Sequence, residues 1–343
     1  MTETMQALVY TATMETTVSR VPWPVAIDDQ VLVEIHYCGI CGSDMHAWHG
    51  QDERRIPPLI LGHEASGIVR SGELAGKRVV LNPLMTCRNC TACLSGREHL
   101  CPQRELIGMR VAGAFAEMVA ISAANLTILP DQLDFATAAL AEPLACAIHA
   151  VRSGLAWLQR PASPQQDVAA TEITVLGGGA IGLLAALVFR QYGISKLRLA
   201  ETAASRRSVL AKCLDAELYD PLHREISPNS ADLIFDAVGS GMTRAAASQI
   251  VRPGGGIVHI GLQDKAEGLD TRKLTLQDIG LIGSYCYTRE DFAEAVRLLA
   301  EGHIKGDGWT DIRPLAEGGS GFGDIHDGVA APKILLEMPV ASH

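Results

Sequence analysis

Cys87, Cys90, Cys93 and Cys101 are spaced C-x2-C-x2-C-x7-C. Four thiolates this close in sequence can converge on one tetrahedral metal. Four sulfurs also leave no position open for a substrate, so the stretch predicts a structural zinc site. A second, dispersed set differs in kind. Cys41 lies in Cys38-Gly39-Ile40-Cys41-Gly42-Ser43-Asp44, His63 and Glu64 in Gly62-His63-Glu64-Ala65-Ser66-Gly67, and Glu142 in Ala141-Glu142-Pro143-Leu144. One thiolate, one imidazole and one or two carboxylates, with room for water, is the donor set of a catalytic zinc. A lone Cys-Gly or His-Glu is usually structural, and Cys38 with Cys41 could form a metal knuckle of their own. The presence of both sets in one chain favours two zinc ions.

A third pattern binds nucleotides rather than metal. Gly177-Gly178-Gly179-Ala180-Ile181-Gly182 fits G-x-G-x-x-G, which carries weight only where it leaves a strand and opens a helix. Ile173 to Leu176 reads as the strand and Ala180 to Tyr192 as the helix. Gly177 permits the tight turn, Gly179 lets the backbone approach a pyrophosphate, and Gly182 lets helix and strand pack closely. The helix N-terminus then offers its amides to the phosphates. Glu201 ends the next strand, where a carboxylate can hold both ribose hydroxyls and repel a 2′-phosphate, which favours NAD over NADP. Arg206 and Arg207 follow it, either lining the adenine side or forming a solvated basic helix start.

The elements that must position these groups fall into two rhythms. A chain of 343 residues predicts two domains. To about residue 145, short β-like runs such as Val31 to Ile35 and Arg78 to Leu81 alternate with turns marked by Pro57-Pro58, Gly62, Gly67, Gly72 and Gly76. This predicts a mostly β domain carrying a metal-stapled loop. A helix is expected from Phe135 to Arg152, kinked at Pro143, followed by a polar excursion from Gln159 to Thr171. From Glu172, strands (173–176, 197–200, 233–236, 257–260) alternate with helices (180–192, 205–214, 244–250), and the run Arg252 to Gly256 is expected to close the last helix. That alternation implies a parallel sheet covered on both faces. An amphipathic helix from Glu290 to Ala300 and a strand from Ile334 to Glu337 complete the chain.

Composition excludes several classes. The net charge of -10 with no Lys/Arg run argues against a nucleic-acid surface. No apolar run is long enough to span a membrane, and Met1 to Ala12 lacks the basic and apolar pattern of a secretory signal. Clustered cysteines in a cytoplasmic protein are usually metal sites rather than disulfides, so cytoplasmic localisation is expected. Most of Cys38, Cys146, Cys213 and Cys286 read as small buried hydrophobes.

With these motifs together, the chain resembles the zinc-dependent medium-chain dehydrogenases over essentially its whole length. Glu142-Pro143-Leu144-Ala145 followed by His149 resembles the polyol and sugar-acid branch; classical alcohol dehydrogenases place a cysteine as the third ligand. The resemblance implies an α/β fold: a β-rich GroES-like catalytic domain (1–147 and 288–343, structural zinc lobe 84–104) plus a Rossmann doubly wound parallel-sheet coenzyme domain (148–287). It implies that Cys41 and His63 bind the catalytic zinc, with Glu64 and Glu142 competing for the remaining position directly or through water. Asp44 would orient a ligand imidazole, Ser43 would take the substrate proton, and His46 would be the outer relay imidazole. Cofactor contacts are implied for Gly177, Gly179, Ala180, Ile181, Gly182, Glu201, Arg206, Ile260, Gly261, Leu262, Ser284 and Tyr285. The expected reaction passes hydride from a secondary alcohol of a polyol, sugar alcohol or sugar acid to NAD, giving a ketone. A homo-oligomer, dimer or tetramer, is implied.

One departure bears on substrate. Polyol members often carry an arginine in a Gly-x-Phe-Arg-Tyr stretch, and here Gly283-Ser284-Tyr285-Cys286-Tyr287 replaces it with Cys286. This favours, as the alternative, a simple secondary-alcohol or 2,3-butanediol-type dehydrogenase. Arg54, Arg55, Trp48 and His49 are further pocket candidates, against readings as loop charges or packing groups. Two other classes fit the sequence less well. A non-catalytic dinucleotide-binding relative is disfavoured because Cys41, His63, Glu64, Glu142 and Ser43 are all present, and a nucleic-acid-binding zinc ribbon is disfavoured by the acidic balance.

Overall fold

Apolar residues at Val31, Val33, Ile35 and Cys38 set the strand Gln30–Gly39 deep inside its sheet, as expected of a strand whose side chains alternate between two covered faces. In the computed structural model, which describes residues 4–160 and 168–339, this strand organises the first of two compact units, Met1–Glu142 with Thr288–His343. The sheet order is Leu126–Ile128, Arg78–Leu81, Glu64–Val69, Gln30–Gly39, Lys333–Glu337, Thr310–Pro314, and Met118–Ser122 also pairs with Gln30–Gly39. All these pairs are antiparallel except the last on the path, Lys333–Glu337 beside Thr310–Pro314. A smaller three-stranded sheet joins Glu15–Pro22, Thr4–Ala12 and Leu59–Ile60. Ile35, Leu61, Leu81, Phe115, Ile121, Phe322 and Leu336 fill the core between them.

The second unit, Pro143–Tyr287, is a six-stranded parallel sheet in the order Glu217–Tyr219, Lys196–Ala200, Glu172–Leu176, Ala231–Asp236, Val251–His259, Gly280–Gly283. The order reverses direction between Glu172–Leu176 and Ala231–Asp236. In such sheets ligands bind outside the carboxyl ends of the strands at that reversal. Helices Ala180–Gln191, Ala204–Cys213 and Gly241–Ile250 supply the crossovers.

Two local expectations are corrected. Pro143 kinks nothing: it lies in the first turn of the helix Ala141–Leu158, where its missing N–H has no partner to lose, and Phe135–Ala138 is a separate short helix before it. The run Arg252 to Gly256 is not a simple helix-closing turn but part of the strand Val251–His259. Its pairing jumps from Ala231↔Val251 to Leu233↔Gly256, so the residues between bulge out of the ladder. Of the polar excursion, 161–167 lies outside the described residues. No helix among the described residues is long and apolar enough to cross a membrane.

Candidate active site and metal centres

Three neighbouring strands of the first unit deliver their ends to one place. Gln30–Gly39 runs out through Ile40 into Cys41, which caps the helix Gly42–Trp48. Asp44 closes that cap by accepting the Cys41 backbone N–H at 3.0 Å, satisfying an otherwise orphaned donor. The strand Glu64–Val69 pairs with the same strand so that Glu64 stands opposite Gly39. Gly39 has to be glycine: a Cβ there would lie 2.0 Å from Glu64 Oε2. On the other side, Lys333–Glu337 pairs Leu335 with Gly39, which brings Lys333 to the same end.

Among the described residues, ligand atoms of Cys41, His63 and Glu64 lie within 4.8 Å of one another. One thiolate, one imidazole and one carboxylate at this spacing fit a zinc ion that keeps a position for water or substrate. Glu142 is buried at the start of the helix Ala141–Leu158 but stands outside this group of mutually close ligand atoms. Asp44 Oδ1 lies 3.5 Å from His63 Nδ1, close to the pairing that orients a metal-binding imidazole. Burial alone would push the His63 pKa down, but the Asp44 carboxylate and the Cys41 thiolate outweigh it and raise it well above its ordinary value. A cation is favoured at this spot, whether proton or metal. Ser43 Oγ stands 3.5 Å from His63 Nε2. His46 is half-buried on the same short helix, its Nδ1 3.5 Å from Gln51 Oε1.

The residue missed in sequence is Lys333. It is 3% exposed, and its Nζ donates to both Glu64 oxygens, at 2.8 and 2.7 Å, and to the Ile40 carbonyl at 2.9 Å. Its only signal was a lysine heading the apolar run Ile334-Leu335-Leu336. Burial would depress its pKa, yet the Glu64 carboxylate raises it above the ordinary lysine value, so the ammonium is retained.

Two pocket candidates are buried. Trp48 belongs to the hydrophobic core, its ring 6.0 Å from that of Phe322. Arg55 is 2% exposed and turned inward. Its guanidinium donates to the Gly108 carbonyl, the Ser43 carbonyl, Asp52 Oδ2 and Ser43 Oγ. Arg54 is the exposed loop charge, paired with Asp52. His49 Nε2 lies 3.0 Å from His326 Nδ1. Cys286 belongs to the second unit, half-buried with φ +49°.

The four lobe cysteines bring their sulfurs within 4.8 Å of one another. Sγ separations of 3.5 Å (Cys90 to Cys93), 3.5 Å (Cys101 to Cys87) and 3.9 Å (Cys87 to Cys93) bracket the ~3.8 Å edge of a tetrahedron with zinc–sulfur bonds of about 2.3 Å. They are far from the ~2 Å of a disulfide. The backbone N–H of Asn89, with that of Cys90, pulls the Cys87 thiol down to about 6, while burial pushes Cys93 up to about 11. A dication would offset the repulsion of four thiolates.

In the second unit the glycine fingerprint sits at the carboxyl end of the strand Glu172–Leu176, and Gly179 caps the helix Ala180–Gln191. A Cβ on Gly179 would meet nothing within 4 Å, whereas one on Gly182 would lie 1.8 Å from the Gly177 carbonyl oxygen. The first leaves an open cradle over the helix amides, where a pyrophosphate fits; the second enforces close helix–strand packing. Glu201 is buried and accepts from the Gly178 and Ala203 backbone N–H groups at 3.0 and 2.8 Å and from Arg206 at 3.1 Å. Arg207 donates to the Glu201 and Thr202 carbonyls. Ile260, Gly261 and Leu262 follow the strand Val251–His259 and Ser284 and Tyr285 follow Gly280–Gly283, both at the same end of the sheet. Ser284 Oγ is buried without a hydrogen-bond partner, as an atom reserved for a ligand would be.

Comparison with known proteins agrees with this geometry. Residues 27–131 match the alcohol dehydrogenase GroES-like domain and residues 180–301 the zinc-binding dehydrogenase domain. The chain is 33% identical to L-galactonate-5-dehydrogenase of Escherichia coli (strain K12) over 83% of its own length and 84% of that protein. It is 31% identical to D-arabitol-phosphate dehydrogenase of Enterococcus avium, covering 92% of this chain and 91% of that one. Among solved structures, a zinc-binding dehydrogenase from Sinorhizobium meliloti 1021 bound to NADP superposes with a TM-score of 0.83 at 27% identity, covering 98% of this chain and 99% of that one.

Proposed function

Because this chain belongs to the zinc-dependent medium-chain polyol dehydrogenase family, we propose that it oxidises a secondary hydroxyl of a polyol or sugar acid to a ketone, passing the hydride to NAD. The observation that carries this reading is the convergence of Cys41, His63 and Glu64 beside the Ser43 hydroxyl. Zinc, when bound, supplies the Lewis acidity that lowers the pKa of an alcohol. A nicotinamide cofactor supplies the hydride acceptor.

The chain's own groups do the rest. Cys41 and His63 hold the metal, and Asp44 fixes the imbedded cap and the imidazole together through its two oxygens. Ser43 receives the proton of the substrate hydroxyl and yields its own toward His46. Of the two carboxylates, the position of Glu64 among the ligand atoms supports it as the closer donor, with Glu142 acting from further out. Gly177 to Gly182 and the helix behind them hold the pyrophosphate, and the buried Glu201 carboxylate supports NAD over NADP. Cys87, Cys90, Cys93 and Cys101 hold a second, structural zinc. None of the nine cysteines is disulfide-bonded, and cysteines grouped as metal donors rather than paired support a reducing, cytoplasmic setting. The family resemblance supports a homo-oligomer.

The sugar-acid and polyol-phosphate relatives support a hydroxyl-rich substrate; Cys286 in place of an arginine favours the second reading, a short secondary alcohol or diol. A panel decides between them: zinc-loaded protein with NAD or NADP and polyols, aldonates, sugar phosphates and short diols. The expected result is the highest kcat/KM with an aldonate or polyol and NAD. Turnover confined to short diols would overturn the substrate assignment.

A further inference from the structure

Arg55 is a charged side chain with no exposed surface of its own, 0% by side chain. Burying a guanidinium is costly unless its donors are used and its charge is paired. Both conditions are met. Asp52 Oδ2 lies 2.8 Å from Nη1, and the Gly108 carbonyl accepts from Nε at 2.9 Å. The remaining contacts converge on a single residue: Nη1 donates to the Ser43 carbonyl at 3.1 Å and Nη2 to the Ser43 hydroxyl at 3.2 Å. A residue needed only to pin a loop would be satisfied by backbone carbonyls. This one grips both the main chain and the side chain of the residue placed beside the His63 imidazole.

We propose that Arg55 is the positioning residue of the proton path: it sets the rotamer of Ser43 and the direction in which the Ser43 hydroxyl can donate and accept. The inference rests on the reading of Ser43 as the group that takes the substrate proton. A serine hydroxyl has one proton and two lone pairs, and a guanidinium can only donate. With Nη2 on one lone pair, the Ser43 proton must point to another acceptor, and a single lone pair remains for the substrate hydroxyl. The relay therefore has one inlet and one outlet. No bond of the reaction changes; what Arg55 contributes is the removal of unproductive hydroxyl orientations before the proton moves.

The test uses the zinc-loaded holoenzyme with whichever alcohol the panel identifies. Arg55→Met, Arg55→Lys and Asp52→Asn are made in the native background and in Ser43→Ala. In the native background Arg55→Met should lower kcat roughly ten- to a hundred-fold, less than the full contribution of a positioned proton-transfer group. KM for the alcohol should hold within about two-fold and the solvent deuterium isotope effect on kcat should rise. Arg55→Lys should restore part of the loss. In the Ser43→Ala background Arg55→Met should cost almost nothing further in kcat, while it should still lower the thermal unfolding midpoint, because the bonds to Gly108, the Ser43 carbonyl and Asp52 are lost in either background. Asp52→Asn, which keeps the guanidinium but frees it to move, should give a smaller version of the same pattern and serves if Arg55→Met does not fold. Additive losses of kcat in the two backgrounds, or a rise in KM with kcat unchanged, would overturn the proposal. If Ser43→Ala alone leaves turnover intact, the failure belongs to the assignment of Ser43 instead.

Discussion

The Lys333 ammonium lies 2.8 and 2.7 Å from the two oxygens of Glu64, and both residues are buried. A carboxylate and an ammonium taken out of water each pay a large desolvation cost, which their attraction offsets only while both are present. Lys333→Met should therefore destabilise metal-free protein by about 3–5 kcal/mol, read as a lower urea midpoint at constant slope. Glu64→Gln added to it should recover most of the loss. A single variant as stable as the double would sink the pairing as the source of the effect.

The two metal centres should separate by mutation. Cys41→Ser should abolish turnover and remove one zinc per chain with little change in the unfolding midpoint, because it deletes one donor from an open site. Cys90→Ser should instead lower the midpoint, since a structural ion contributes its binding energy to folding. Zinc content by atomic emission, measured beside unfolding curves, checks both. Equal activity losses without destabilisation would refute the division.

Glu201 accepts two backbone N–H groups of the nucleotide loops as well as Arg206. Glu201→Ala should raise KM for NAD about ten- to a hundred-fold, from the loss of charge-assisted bonds of roughly 1.5–3 kcal/mol. The penalty against NADP should shrink at the same time. Initial rates with both cofactors test it, and an unchanged NAD to NADP ratio would remove Glu201 from the specificity role.

Asp52 supplies the acid limb of stability beside Arg55. Burial would raise its pKa, but hydrogen bonds and charge from Arg54, with Arg55, lower it to about 2. A depressed carboxylate contributes stability that is fully present above its unfolded value near 3.8 and lost as pH falls toward 2. After screening by solvent, roughly 1 kcal/mol is at stake. Urea midpoints of native protein should fall between pH 4 and 2 more steeply than those of Asp52→Asn, and parallel curves would contradict the assignment.

Much of the architecture follows from local pattern. The strand expected over Ile173 to Leu176 appears as Glu172–Leu176, and the helix from Ala180 as Ala180–Gln191, because buried parallel strands are uniformly apolar and a glycine turn marks the boundary between them. Pro143 misled because proline is judged by position: in a helix interior it breaks, in the first turn it fits. The burial of Trp48 and Arg55 was not legible, because a polar or aromatic residue near a relay motif looks the same in sequence whether it faces a cavity or the core.

By itself the sequence determined the donor types and the covalent reach between them. Four cysteines within one loop, a Cys-Gly-Ser-Asp turn, a Gly-His-Glu turn and a glycine fingerprint are local facts that survive any packing. Only the tertiary structure decided what holds those donors. Lys333 reaches Glu64 across 269 residues because the C-terminal strand enters the sheet beside Gln30–Gly39 in one register, and Arg55 meets Ser43 because its loop folds back under the short helix. Hydrophobic period tells which face of a strand is buried, but strand order and register set which charge waits on the other side.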